Sequence, residues 1–187
     1  MKRPARLVMA LLVSIVLVLP VGLLSACNNN SGGTETLTGT TAGLLTQLIG
    51  KSEPYLPAGA SFGNPFTDPV TASNSEGILG LTSSQFNSYV EEATVAREGI
   101  MSIAHQVVLI KCKNIADTKK VMDLIAAGFD SGQWICVFPD RCFVQASGSY
   151  VLLVASSAER ATALEKGFSD LAGGNVGKVN TFYTKAG

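Results

Sequence analysis

Four cysteines and a single histidine are the side chains of this 187-residue chain best suited to nucleophilic or metal chemistry. Cys112, Cys136 and Cys142 lie in the C-terminal half, close to His105 and to the only tryptophan, Trp134. With no Cys-x-x-Cys pair and one imidazole, the spacing offers no zinc-type ligand set, and neither a metal nor a cofactor is expected. Cys136 and Cys142 bracket Val-Phe-Pro-Asp-Arg, whose Pro139-Asp140 reads as a turn able to bring the two thiols together. Two readings stand for these cysteines: a Cys136–Cys142 disulfide with one thiol left over, or small buried hydrophobes. Glu91 and Glu92 are adjacent, so on a strand they face opposite sides and cannot act as a carboxylate pair. His105 has no obvious partner in sequence and reads as a structural histidine near a strand start. Trp134, Asp140 and Arg141 mark the 133–142 segment as a candidate binding surface, because a loop there combines an aromatic with fixed polar groups. Core packing is the competing role for Trp134, and a surface ion pair for Asp140 and Arg141. No glycine-rich phosphate loop and no Gly-x-Ser-x-Gly elbow is present.

The fourth cysteine sits in a different setting. Lys2, Arg3 and Arg6 precede an apolar run from Leu7 to Leu19, interrupted only by Ser14, and small residues then lead to Cys27. This order is the layout of a secretory signal. The run is about 13 residues, short of the roughly 20 that a spanning helix needs. The ending Leu24-Ser25-Ala26-Cys27 resembles the lipobox of bacterial lipoproteins. In that family the thiol accepts a diacylglycerol and becomes the new N-terminus after cleavage. A thiol suits the task because it is a better nucleophile than a hydroxyl near neutral pH. Two acyl chains also give stable anchoring where one is marginal. The resemblance implies a signal peptide over 1–26, lipidation at Cys27 and a body on the extracytoplasmic face of the cell membrane.

Removal of such a signal leaves 11 basic against 14 acidic side chains, a formal charge of −3. A mildly acidic body without a basic patch does not suit nucleic acid as a partner. Residues 27–43 are Asn, Ser, Gly and Thr with almost nothing apolar, the composition of a flexible tether. In 44–79 a short helix over Leu44–Ile49 is expected, followed by a Pro- and Gly-punctuated irregular stretch laid on the surface.

Dense signals begin near Gly80 and define a domain over 80–187. Thr82-Ser83-Ser84-Gln85 is a capping box opening a short helix. Tyr89–Ala96 reads as a strand, Arg97-Glu98-Gly99 as a turn, and Ile103–Lys113 as a second strand around Val107–Ile110. Asn114–Asp117 starts a helix whose Val121, Leu124, Ile125 and Gly128 share one face. Cys142–Ser147 and Tyr150–Ala155 flank Gly148-Ser149, a type II′ hairpin signal. Ser156–Glu159 starts a third helix with a stripe of Ala161, Leu164, Phe168 and Leu171, stopped by Gly173-Gly174. Thr181-Phe182-Tyr183 is an edge strand or a loose tail. Strand-strand-helix, repeated, predicts an α+β fold: a four-stranded antiparallel sheet with helices on one face.

Tyr89-Val90-Glu91-Glu92, the helix around Thr118–Val121 and above all Ser147–Val154 resemble domain of unknown function 4358, over roughly 80–171 together with the lipobox. That family consists of small lipoproteins, mostly from clostridia-like Gram-positive bacteria, and it implies no activity. Only Cys27 carries over as a functional residue. Such an origin also argues against a disulfide, because those cells often live in reducing surroundings. Two functions follow from the whole sequence. One is a non-catalytic, membrane-tethered module binding an envelope protein, wall polymer or small ligand. The other is a small extracytoplasmic hydrolase using Asp140, His105 or a free cysteine.

Overall fold

A computed structural model describes residues 37–98, 104–134 and 136–185. Cys27 and the segment preceding it lie outside the described residues, as do Gly99 and Ile103 of the expected turn and strand. The fold is α+β, built on a single antiparallel sheet of six strands. Its elements are α1 (Thr41–Ser52), β1 (Phe66–Pro69), α2 (Ser75–Leu79), α3 (Ser83–Tyr89), β2 (Val90–Arg97), β3 (Gln106–Cys112), α4 (Thr118–Gly128), β4 (Arg141–Ser147), β5 (Tyr150–Ser156), α5 (Ala158–Leu171) and β6 (Asn180–Thr184). The strands run β1-β2-β3-β5-β4-β6 across the sheet.

The expected four strands are its centre, and two edges were not counted. Phe66–Pro69 pairs with β2, from Phe66 opposite Arg97 to Pro69 opposite Thr94. This segment was expected to be irregular because Pro65 and Pro69 flank it. An edge strand needs only one side of its backbone, so a proline at its end is tolerated. At the other edge β6 pairs with β4, resolving the tail as a strand.

The helices also divide between both faces rather than covering one. Val108, Ile110, Val144, Val151 and Leu153 point to one side, under α2, α3 and α4. Val107, Leu109, Phe143, Leu152 and Val154 point to the other, under α1 and α5. Strands β3 and β5 are therefore unbroken apolar runs over Val107–Ile110 and Val151–Ala155, as expected of strands covered on both sides.

The local signals act as their chemistry dictates. Thr82 and Gln85 close the capping box of α3, and Ser157 Oγ caps α5 by accepting from Arg160 N–H. Gly148 takes φ +57° at the β4–β5 turn, and no described non-glycine residue, Ser149 included, has positive φ, which fits type II′. Gly80, at φ +71°, ends α2 with its backbone pressed on Gly128 at the end of α4. A Cβ built at Gly80 would stand 2.1 Å from the Gly128 carbonyl carbon.

Residues 37–52 belong to the packed body, not to a tether or a surface strip. Leu37, Leu44, Leu45 and Leu48 are buried against α5 and the sheet. Thr40 caps α1, Thr41 N–H donates to Glu92 Oε2 at 3.1 Å, and the Thr41 and Thr94 hydroxyls meet at 2.7 Å. Tyr150 Oη donates to the Gly39 carbonyl at 2.7 Å. The polar composition of this stretch hid its role, because side chain caps and backbone bonds anchor it as much as leucines do.

Candidate functional site

The residues expected to form a binding surface are used for structure. Trp134 is 9% exposed and packs in the core beside Phe129, ring centroids 6.4 Å apart. Asp140 turns its carboxylate to the start of α5, accepting from Ala158 N–H at 3.2 Å. Arg141 leans across the sheet to pair with Glu165 at 2.8 Å, with its guanidinium 4.6 Å from the Phe143 ring centroid. Asp140 and Arg141 thus find other partners rather than one another, and 133–142 presents no convergent site.

The cysteines form no bridge. Cys112, Cys136 and Cys142 are free, Cys136 exposed and the other two buried. The Pro139 turn leads into β4, and Cys142, opposite Ala155, is buried in the core, whereas Cys136 is exposed on its loop. Burial pushes both the Cys112 and Cys142 thiols up to about 12, the former helped by the Asp117 charge. A thiol in that state is not a nucleophile near neutral pH.

His105 is 1% exposed. Its Nδ1 lies 2.7 Å from Ser156 Oγ, and its Nε2 is buried with no hydrogen-bond partner. Burial, with a smaller contribution from the nearby Arg160 cation, lowers its pKa from 6.5 to about 4. Asp140 also reaches Ser156, but through its backbone N–H to the Ser156 carbonyl. Two of the three groups named for hydrolysis therefore converge on one serine, yet the carboxylate points elsewhere and the serine is fully buried. No acid-base-nucleophile relay results. The alternation expected of Glu91 and Glu92 is interrupted by an irregularity of β2 between Val90 and Glu92: Glu91 pairs at 2.9 Å with Lys111, the residue opposite Glu92, and Glu92 holds the start of α1. Among the described residues no group of three His, Cys, Asp or Glu side chains could hold a metal ion.

An opening among the described residues lies elsewhere. A groove of about 350 Å³ runs between α4 and the chain entering β6. Met122 and Val179 supply its apolar lining, and Lys119, Asp123, Lys178 and Asn180 its polar lining. Lys119 pairs with Asp123 at 2.6 Å, whereas Lys178 makes no hydrogen bond or ion pair with any described residue. Sequence reading missed this site because its two walls stand some 55 residues apart in the chain. The signal that could have found it was the polar side of α4, where Lys119 and Asp123 oppose the buried stripe.

No family model, no curated protein and no solved structure matches this chain. Among the described residues no helix is long and apolar enough to cross a membrane.

Proposed function

We propose that the chain is a bacterial lipoprotein: a signal peptide over 1–26, a diacylglycerol on Cys27, and a body held at the extracytoplasmic face of the cell membrane as a non-catalytic binding module. The observation that carries this reading is the sequence Leu24-Ser25-Ala26-Cys27 after a basic start and a short apolar run. The resemblance of 80–171 to domain of unknown function 4358 agrees with it. Packing supports the non-catalytic part, since His105, Asp140 and Cys142 each serve the core or a helix cap. The α4–β6 groove is the surface we assign to binding. Mass spectrometry of the protein from its own host is the test. A mature N-terminus at Cys27 carrying the mass of a diacylglycerol is expected, and an intact leader with a bare thiol would refute the anchor. For the binding role, single charge reversals at Lys178 are expected to weaken a crosslinked partner's yield. Loss of a hydrolytic activity on His105→Gln, in a protein that still folds, would instead favour an enzyme.

A further inference from the structure

We infer that the end of the sheet where the N-terminal arm enters is a membrane-contacting surface, recognising the anionic phosphates of phospholipid headgroups. The inference rests on the lipid-anchor reading above and adds which surface faces the bilayer.

The strand register defines this end. Val90 lies opposite Cys112, Lys111 opposite Tyr150, Tyr150 opposite Ser147, and Asn180 opposite Val144. The arm arrives at the same place: Tyr150 holds Gly39, and Glu92 holds Thr41. Cys27 and Leu37 are ten Cα steps apart, with nine residues between them. In any conformation they span at most about 36 Å, so a lipid on Cys27 keeps this end near the bilayer.

Charge is distributed to match. Lys111, Lys113, Lys119, Lys120 and Lys178 all lie here, against Glu91, Glu92, Asp117 and Asp123. The other described residues carry six basic and nine acidic side chains, and one of these acids, Asp170 in the last turn of α5, stands close to the same end, so this end is near neutral while the rest of the body is negative. Three of the five lysines make no hydrogen bond to a carboxylate: Lys113 donates to the Asn87 carbonyl, Lys120, with the Asp117 charge nearby, to the Tyr89 hydroxyl, and Lys178 has no described partner. Ile115, between Lys113 and Lys119, is one of the few large apolar residues left exposed, at 41%. A bare aliphatic side chain with Lys113 and Lys119 nearby in the chain suits the boundary between headgroups and acyl chains. Each lysine near an anionic surface adds to the attraction, which salt weakens.

The test uses the lipidated protein from its own host, reconstituted into vesicles of phosphatidylcholine alone or mixed with phosphatidylglycerol, with a photoactivatable phospholipid in each. Adducts are expected within 111–123 and 176–182 on the phosphatidylglycerol vesicles, several-fold fewer on phosphatidylcholine or in high salt. The triple variant K113E/K120E/K178E should lose most adducts while remaining folded and vesicle-bound, and Ile115→Ser should lose them in part. Adducts on the first two turns of α5, an even spread over the body, or indifference of the pattern to the triple variant would overturn the inference while leaving the anchor intact. A protein that fails to float with vesicles and carries an unmodified Cys27 would overturn the anchor itself, and this inference with it.

Discussion

His105 gives its Nδ1 to the Ser156 hydroxyl at 2.7 Å and keeps its Nε2 buried without a partner. The neutral imidazole is tolerated there, and the cation is not, because the site is dry and Arg160 is near. The folded pKa, about 4, lies below the ordinary 6.5. The unfolded chain therefore binds a proton first as pH falls. The contribution is intact above pH 6.5 and is withdrawn between 6.5 and 4, and a gap of this size is worth about 3 kcal/mol. Urea unfolding at several pH values should show this loss. In His105→Gln the profile between those limits should flatten, from a lower starting stability.

Gly167 of α5 faces Ser52 of α1 so closely that an added Cβ would meet Ser52 Oγ at 2.0 Å and its Cα at 3.0 Å. Gly167→Ala should therefore force α1 off α5 and cost about 1–3 kcal/mol. Ser52→Gly alone should be milder, and in combination should restore part of the loss. A thermal melt of the four proteins checks this. Equal melting temperatures for wild type and Gly167→Ala would mean that the arm does not pack on the body.

Thiol reactivity distinguishes the cysteines. In the folded protein Cys136 should alkylate readily, while Cys112 and Cys142 react only on unfolding, since burial holds both thiols protonated. Intact mass after brief iodoacetamide treatment should rise by one adduct when Cys27 carries lipid. Reductant should leave the unfolding midpoint unchanged, because there is no bridge to break.

Asp140 works as a cap for α5. Asp140→Ala should cost about 1 kcal/mol, typical of a lost N-terminal cap. Asp140→Ser, which keeps an acceptor oxygen, should recover part of that. Any binding at the α4–β6 groove should survive both changes, since Asp140 lies on the far side of the sheet end from Lys178.

The central strands and helices were legible because their signals are local. Thr82 and Gln85 form a capping box within four residues, and Gly148-Ser149 specifies its own turn. The number of covered faces was also written in the chain, although it was misread. Val107–Ile110 and Tyr150–Ala155 are unbroken apolar runs, and a strand with one wet face would alternate. What local pattern could not supply was the place of weakly patterned segments. Phe66–Pro69 has four residues and two flanking prolines, and only its pairing with β2 makes it a strand. Residues 37–43 look like linker until Tyr150 and Glu92, far along the chain, bind them. The groove likewise depends on α4 meeting the approach to β6.

The packing of α1 on α5 sets an order for the birth of this molecule. Synthesis delivers α1 early and its cover some hundred residues later, so Leu44, Leu45 and Leu48 must stay wet until α5 emerges. Contacts spanning so much chain are slow to close and leave greasy intermediates open to clumping. One half of the interior can settle as soon as α4 and the β4–β5 hairpin exist. The other half waits for nearly the last helix, which makes truncation upstream of 171 a route to an unfinished, sticky product.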